Sequence, residues 1–164
     1  MKLRQLLITK YLSYQEQGLA VFTVTLSTFI QEQRNLPEEM FRHMWDDHFI
    51  YKVRKRLPIK ARLDHDYVIE LSPPKLSRGG GYSCFYGYHG FIALDARYAL
   101  RIWNGNGLNT HLSGALKSLR KRGLYRPFCI NSFLIEPANN IESWSTYITK
   151  TTGAFARSSA SSWI

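Results

Sequence analysis

A strand-like segment with two glycines and a histidine in its interior, CFYGYHGFIAL at residues 84–94, constrains the fold most. Glycine weakens the interior of a strand, so it is usually found there at a bulge or where another group approaches the backbone closely. Because alternate residues of a strand share a face, Gly87 and His89 lie on one face, and Tyr88 and Ile92 on the other. The segment therefore predicts a strand whose aliphatic face is packed and whose opposite face carries a histidine beside a position without a side chain.

The remaining periodicity supplies three more strands and several helices. Alternating β-branched residues predict strands at 19–29 and 66–72, and an apolar run predicts the last strand at 126–137. Helical spacing and end charges predict helices at 37–57, 95–103, 110–123 and 139–151, and Asn140 is the expected N-cap of the last of them. This order is typical of an α+β fold with a central antiparallel sheet of four or five strands and helices mainly on one face.

The chain length indicates one domain, which we expect to span residues 1–152. The small, Ser-rich segment 153–164 is expected to be a flexible C-terminal tail. Strands 66–72 and 82–94 are expected to be neighbours. If helices cover the aliphatic face of the sheet, the alternation of residues brings a polar set together on the open face: Thr23, Thr25, Glu70, Gly87 and His89.

The charge of the chain points to an anionic partner. Lys and Arg number 22 against 12 acidic residues, which gives a net charge of +10, and basic proteins bind polyanions through phosphate neutralisation and counterion release. Charge alone does not distinguish DNA from RNA or from an anionic membrane. The sequence lacks a long cationic amphipathic helix, so nucleic acid is the preferred partner. Because no apolar run reaches the ~18 residues of a membrane span and no signal peptide is evident, we expect a cytoplasmic protein.

Three ordered motifs resemble those of the HUH endonucleases, the rolling-circle replication initiators (Rep proteins) of plasmids and single-stranded phages. Residues 22–26, FTVTL, are similar to the first motif strand of that family. Residues 87–91, GYHGF, resemble its His-hydrophobic-His motif, and Tyr147 and Lys150 match its late Tyr-x-x-Lys helix. The resemblance runs from about residue 19 to residue 151. It implies a Rep-like, ferredoxin-related sheet, single-stranded DNA as the partner, and a bacterial cell as the host of the phage or plasmid.

The resemblance also implies a mechanism. Tyr147 would attack a DNA phosphodiester, which leaves a 5′-phosphotyrosine and a free 3′-hydroxyl, and Lys150 would lower the pKa of Tyr147 or offset phosphate charge. Two histidines of the family motif hold a divalent metal together with a polar residue of a neighbouring strand. Here His89 and Glu70 match two of these ligands for Mg²⁺ or Mn²⁺, but Gly87 stands where the first histidine belongs. A weak metal site and the loss of cleavage both remain open.

Candidate DNA contacts are basic or polar residues near the motifs and aromatic residues able to stack on bases. They are Thr23, Thr25, Lys75, Arg78, Tyr86, Lys117, Arg120, Lys121 and Arg122, with Tyr82 and Phe85 as further stacking candidates. Two classes of function follow. The chain is either a metal-assisted DNA-nicking and joining enzyme, or a nuclease-degenerate Rep-like binding protein. In the second case it acts as a replication regulator or as an inhibitor of a host nuclease or defence complex.

Overall fold

A computed structural model describes residues 3–31, 38–76, 79–102 and 132–150 of the chain. The helices are α1 (Leu3–Glu16), α2 (Glu38–His43), α3 (Tyr51–Arg54), α4 (Ala96–Ile102) and α5 (Ile141–Lys150), and a π-helical segment, Met44–Ile50, joins α2 to α3. The strands are β1 (Leu19–Gln31), β2 (Leu63–Leu71), β3 (Lys75–Leu76), β4 (Tyr82–Ser83), β5 (Phe85–Asp95) and β6 (Ser132–Pro137).

Four strands form one antiparallel sheet in the order β2-β5-β1-β6, and β3 pairs with β4 in a separate two-stranded ribbon. The α+β class and the antiparallel sheet predicted from the sequence are therefore confirmed, as is the pairing of the strands predicted at 66–72 and 82–94. The second of these is interrupted at Cys84, so that its first two residues belong to the ribbon rather than to the sheet.

The prediction of helices mainly on one face is wrong, because both faces of the sheet are covered. The helical segment from α2 to α3 packs on one face, which carries the core residues Phe22, Val24, Tyr88 and Ile92. On the other face, α1 and α5 pack over Val21, Val68, Phe91 and Ala93. The apolar residues of this second set are stabilised when they are removed from water. Helix α1, which was not predicted from the sequence, buries many of them.

Gly90 allows the helical layer to approach the sheet on the first of these faces. A Cβ at position 90 would overlap the carbonyl oxygen of Asp66 and lie 2.9 Å from Cη2 of Trp45. Trp45 is fully buried and donates its indole N–H to Nδ1 of His65 at 3.1 Å. Burial lowers the pKa of His65, which keeps the imidazole neutral and able to accept this bond. The close approach at Gly90 is therefore made by the backbone of β2 and by the ring of Trp45.

The C-terminal elements agree with the sequence where they are described. The predicted helices at 95–103 and 139–151 appear as α4 and α5, and Oδ1 of Asn140 accepts a bond from the Ser143 N–H at 2.9 Å, as expected of an N-cap. The predicted helix 110–123, the start of the last strand and the tail 153–164 lie outside the described residues. In the described part of the chain, the length and hydropathy needed to cross a membrane are not found in any helix.

Candidate functional site

His89 lies at the centre of a polar cluster to which three neighbouring strands contribute. On β5 it stands in register with Thr25 of β1, and its Nδ1 lies 3.3 Å from the Thr25 hydroxyl. Its Nε2 contacts the carboxylate of Glu70, which belongs to β2. We call these three residues the His89 cluster. The sequence prediction that Glu70 and His89 share a face is confirmed, and their side chains contact each other directly.

Both ring nitrogens of His89 are therefore engaged. One tautomer satisfies both contacts: Nε2–H donates to Glu70, and Nδ1 accepts from the Thr25 hydroxyl. His89 is only 6% exposed. This burial lowers the pKa of its imidazole, and the Glu70 carboxylate acts in the opposite direction. The cluster is thus a buried histidine paired with a half-buried carboxylate, with a hydroxyl on the other side of the ring.

Gly87 leaves a gap beside this cluster. In the sheet register it stands between Ser27 of β1 and Glu70 of β2, two residues before His89 on the same face. A Cβ at position 87 would lie 3.1 Å from the carbonyl oxygen of Leu26, a close contact that a small backbone shift relieves. Ser27, Gly87 and Glu70 are all half-buried. The space beside position 87 is therefore narrow but not filled by another described side chain within 4 Å.

Helix α5 contacts the cluster through Trp144, whose ring packs edge-on against His89 with centroids 5.9 Å apart. Tyr147 and Lys150 follow on the same helix, three and six residues later, so by helical periodicity position 147 lies on the same side as Trp144. The side chains of Tyr147 and Lys150 lie outside the described part of the structure. Sequence reasoning missed Trp144, although its spacing of three residues from Tyr147 was a usable signal.

Helix α1 covers the adjacent part of the same face, which we had expected to be open. Nζ of Lys10 pairs with Oδ2 of Asp66 at 3.0 Å, and the ring of Tyr11 packs edge-on against Phe91 at a centroid distance of 4.2 Å. The expectation of an open face is corrected accordingly, because the apolar residues next to His89 are buried under α1 and α5. At one end of this face, Gly87 and the residues in register with it, Ser27 and Glu70, are only half-buried.

The described residues do not fit a divalent-metal centre held by the protein alone. Their ligand-type side chains at this place are His89 and Glu70, which contact each other, with the Thr25 hydroxyl as a weaker donor. Within the described ranges, no group of three or more His, Cys, Asp or Glu side chains is placed to hold a metal ion. Mg²⁺ prefers oxygen ligands in an octahedral arrangement, and Gly87, which has no side chain, contributes none.

The candidate DNA contacts have different outcomes. The prediction that Tyr86 stacks on a base is wrong. Tyr86 is 5% exposed and its ring packs against Phe41 with centroids 5.0 Å apart, so it cannot reach DNA. The Thr23 hydroxyl donates to the Glu136 carbonyl at 3.3 Å, and Thr25 belongs to the His89 cluster; DNA contacts by these two remain predictions. Lys75 begins β3, although its side chain is not described. Five more predicted contacts lie outside the described residues: Arg78, Lys117, Arg120, Lys121 and Arg122.

Comparison of the chain with models of protein families, with curated proteins and with solved structures gave no match.

Proposed function

We propose that this protein binds single-stranded DNA as a Rep-like protein that lacks a metal-dependent cleavage centre of its own. The observation that carries the proposal is the meeting of the His89 cluster with α5, the helix that contains Tyr147 and Lys150. The resemblance in the sequence implies that a central histidine strand and a late tyrosine helix act together. Here a ring contact between His89 and Trp144 brings those two elements together.

The incomplete ligand set among the described residues favours binding over cleavage. The two ring nitrogens of His89 contact Glu70 and Thr25, and Gly87 has no side chain that could bind a metal. The net charge of +10 supports attraction to phosphates. In this form the protein acts for a phage or plasmid as a replication regulator, or as an inhibitor of a host nuclease or defence complex.

DNA nicking is the second candidate function, because Tyr147 and Lys150 are both present on the helix that reaches His89. In that reaction the Tyr147 oxygen forms a bond to phosphorus, the bond from phosphorus to the 3′-oxygen breaks, and the 3′-oxygen takes up a proton. Lys150 would balance charge at the phosphate. This candidate needs Mg²⁺ or Mn²⁺ held largely by the DNA and by water, since the described residues supply two ligands of the family type.

The first test measures binding to a labelled single-stranded oligonucleotide by fluorescence anisotropy over a range of salt concentrations. Binding releases counterions from the phosphates, and a higher salt concentration opposes this release. We therefore expect the affinity to fall steeply as salt rises. The double substitution Lys75→Glu and Arg78→Glu is expected to weaken binding about tenfold or more and to reduce the salt dependence. The control is Arg4→Glu, a charge reversal at an exposed residue of α1, which we expect to have a smaller effect.

A protein that does not bind single-stranded DNA at low salt would contradict the proposal. Binding that is insensitive both to salt and to the reversal at Lys75 and Arg78 would indicate that the basic residues serve a protein partner, such as a host nuclease.

The second test distinguishes binding from nicking by looking for a covalent adduct between the protein and labelled single-stranded DNA in the presence of Mn²⁺. We expect little or no adduct with the natural sequence. Gly87→His restores a pair of histidines at i and i+2 on one strand face, so we expect Mn²⁺ affinity to increase and the adduct to appear. Tyr147→Phe should abolish any adduct in both backgrounds.

Adduct formation by the unmodified protein would establish the second candidate in place of the first. Because position 87 is close to the Leu26 carbonyl, the Gly87→His variant must first be shown to be folded, by circular dichroism and urea unfolding. A folded variant that binds Mn²⁺ and DNA without forming an adduct would count against Tyr147 as a nucleophile.

A further inference from the structure

The two-stranded ribbon formed by β3 and β4 exposes two large apolar side chains next to each other. Leu76 and Tyr82 are directly opposite in its register, and they are 68% and 75% exposed. Side chains at opposite positions of an antiparallel pair stand on the same side and touch. The two strands of the ribbon therefore present one apolar patch, which we call the Leu76–Tyr82 patch.

The ribbon leaves this patch exposed to solvent. A two-stranded ribbon is marginally stable by itself, and burying Leu76 and Tyr82 against the sheet would have stabilised it. Apolar surface that remains in water in this way is stabilised when another molecule covers it. The side chains of Leu76 and Tyr82 are therefore placed for binding rather than for the core.

The charge around the patch indicates the kind of molecule. The segment from residue 71 to residue 94 contains two basic residues, Lys75 and Arg78, and no Asp or Glu. A ligand that offers both negative charge and flat apolar surface suits this combination. Single-stranded DNA has both properties, because its phosphates attract cations and its unpaired bases stack on aromatic rings.

The ribbon is attached beside the candidate site. At its base, the Ser72 N–H donates to the Phe85 carbonyl at 2.8 Å, and the Phe85 N–H donates to the Ser72 hydroxyl at 3.0 Å. These bonds close the ribbon at the end of β2 and the start of β5, where Glu70 and Gly87 stand opposite each other. A DNA strand held by the ribbon would therefore lie next to Glu70 and Gly87, at the half-buried end of the polar face.

We propose that the ribbon holds single-stranded DNA, with Tyr82 stacked on one unpaired base and Leu76 supporting the ring. The inference rests on the proposed function, since it names the surface that carries DNA binding. It also separates Tyr82 from the other aromatic candidates: Tyr86 is buried and Phe85 is half-buried, whereas Tyr82 is exposed.

The test compares the affinities of the natural protein, Tyr82→Ala, Tyr82→Phe and Leu76→Ala for oligothymidine and for an abasic oligonucleotide of equal length. We expect Tyr82→Ala to weaken binding to oligothymidine about tenfold, the typical effect of losing one stacked base. Tyr82→Phe should retain binding, because the ring face remains. Leu76→Ala should have a smaller effect in the same direction. On the abasic strand, which has phosphates but no bases, Tyr82→Ala should bind as well as the natural protein.

Tyr51→Ala is the matched control, because Tyr51 is an exposed tyrosine on α3 outside the ribbon, and we expect its DNA affinity to be unchanged. If the natural protein binds oligothymidine and Tyr82→Ala binds it equally well, the ribbon proposal is overturned and the proposed function stands. If the natural protein binds no single-stranded DNA, the proposed function itself fails. An equal loss on the abasic strand overturns stacking. A change from dimer to monomer in Tyr82→Ala without loss of affinity would assign the patch to self-association instead.

Discussion

Gly90→Ala is expected to lower the free energy of unfolding by about 3 kcal/mol or more, or to prevent folding, which is at the upper end of the cost of overpacking a core. The added methyl group would overlap the Asp66 carbonyl oxygen, and it would lie 2.9 Å from Trp45 and 3.0 Å from the Cα of Tyr67. Two of these three neighbours are backbone atoms of β2, which pairs with β5 at this position. The strand pair would have to separate to make room. Urea unfolding followed by tryptophan fluorescence measures the change.

Gly87→Ala is the matched control, since it places the same methyl group on the same strand three residues earlier. Its one close neighbour is the Leu26 carbonyl oxygen at 3.1 Å, so we expect a change within about 1 kcal/mol, as for typical tolerated substitutions. Equal losses of stability at positions 87 and 90 would contradict the account of Gly90, because they would indicate a general need for glycine in β5 rather than a contact with β2 and Trp45.

Lys10→Met is expected to lower the free energy of unfolding by about 3 kcal/mol, because it removes the cation beside a buried carboxylate. The side chain of Asp66 is 3% exposed, and Lys10 reaches it from α1 at 3.0 Å. Methionine keeps most of the length of the lysine stem, so the change is mainly one of charge. Chemical unfolding and hydrogen exchange of α1 amides measure the result, and we expect α1 to lose protection first.

A double substitution tests whether charge is the cause. Adding Asp66→Asn to Lys10→Met removes the buried negative charge, and we expect the double variant to be more stable than Lys10→Met alone. Lys60→Met, at an exposed lysine between α3 and β2, is the control and should change the unfolding free energy by less than about 0.5 kcal/mol. A loss as small as this in Lys10→Met would show that the Lys10–Asp66 pair does not hold α1 on the sheet.

Strand alternation accounts for most of what was correct in the sequence predictions. It placed Gly87, His89 and Glu70 on one face, and the structure brings His89 and Glu70 into contact there. The same rule could have excluded Tyr86 as a DNA contact, since Tyr86 shares the face of Tyr88, and both are buried under the helical layer. That error arose because an aromatic residue near a motif was assigned to DNA without regard to its parity.

The coverage of the sheet was not predictable in the same way. In the segment that forms α1, the residues buried against the sheet include two tyrosines, Tyr11 and Tyr14, so their role as core residues is not evident from hydropathy. The contact between Trp144 and His89 likewise joins residues 55 positions apart. Neither contact follows from local periodicity, which specifies the element and its faces but not the element that packs against them.

The sequence by itself determined the four strands of the main sheet, the parity of their faces, the polar residues brought together around His89, and the absence of a donor at position 87. These properties depend on residues a few positions apart, for which backbone geometry dictates the outcome. Only the tertiary structure decided that α1 and α5 cover the face with the histidine, that Gly90 serves a contact with β2 and Trp45, and that Tyr82 is exposed while Tyr86 is buried. These outcomes depend on contacts between distant segments, because burial of apolar surface is non-directional and does not select a partner from local sequence alone.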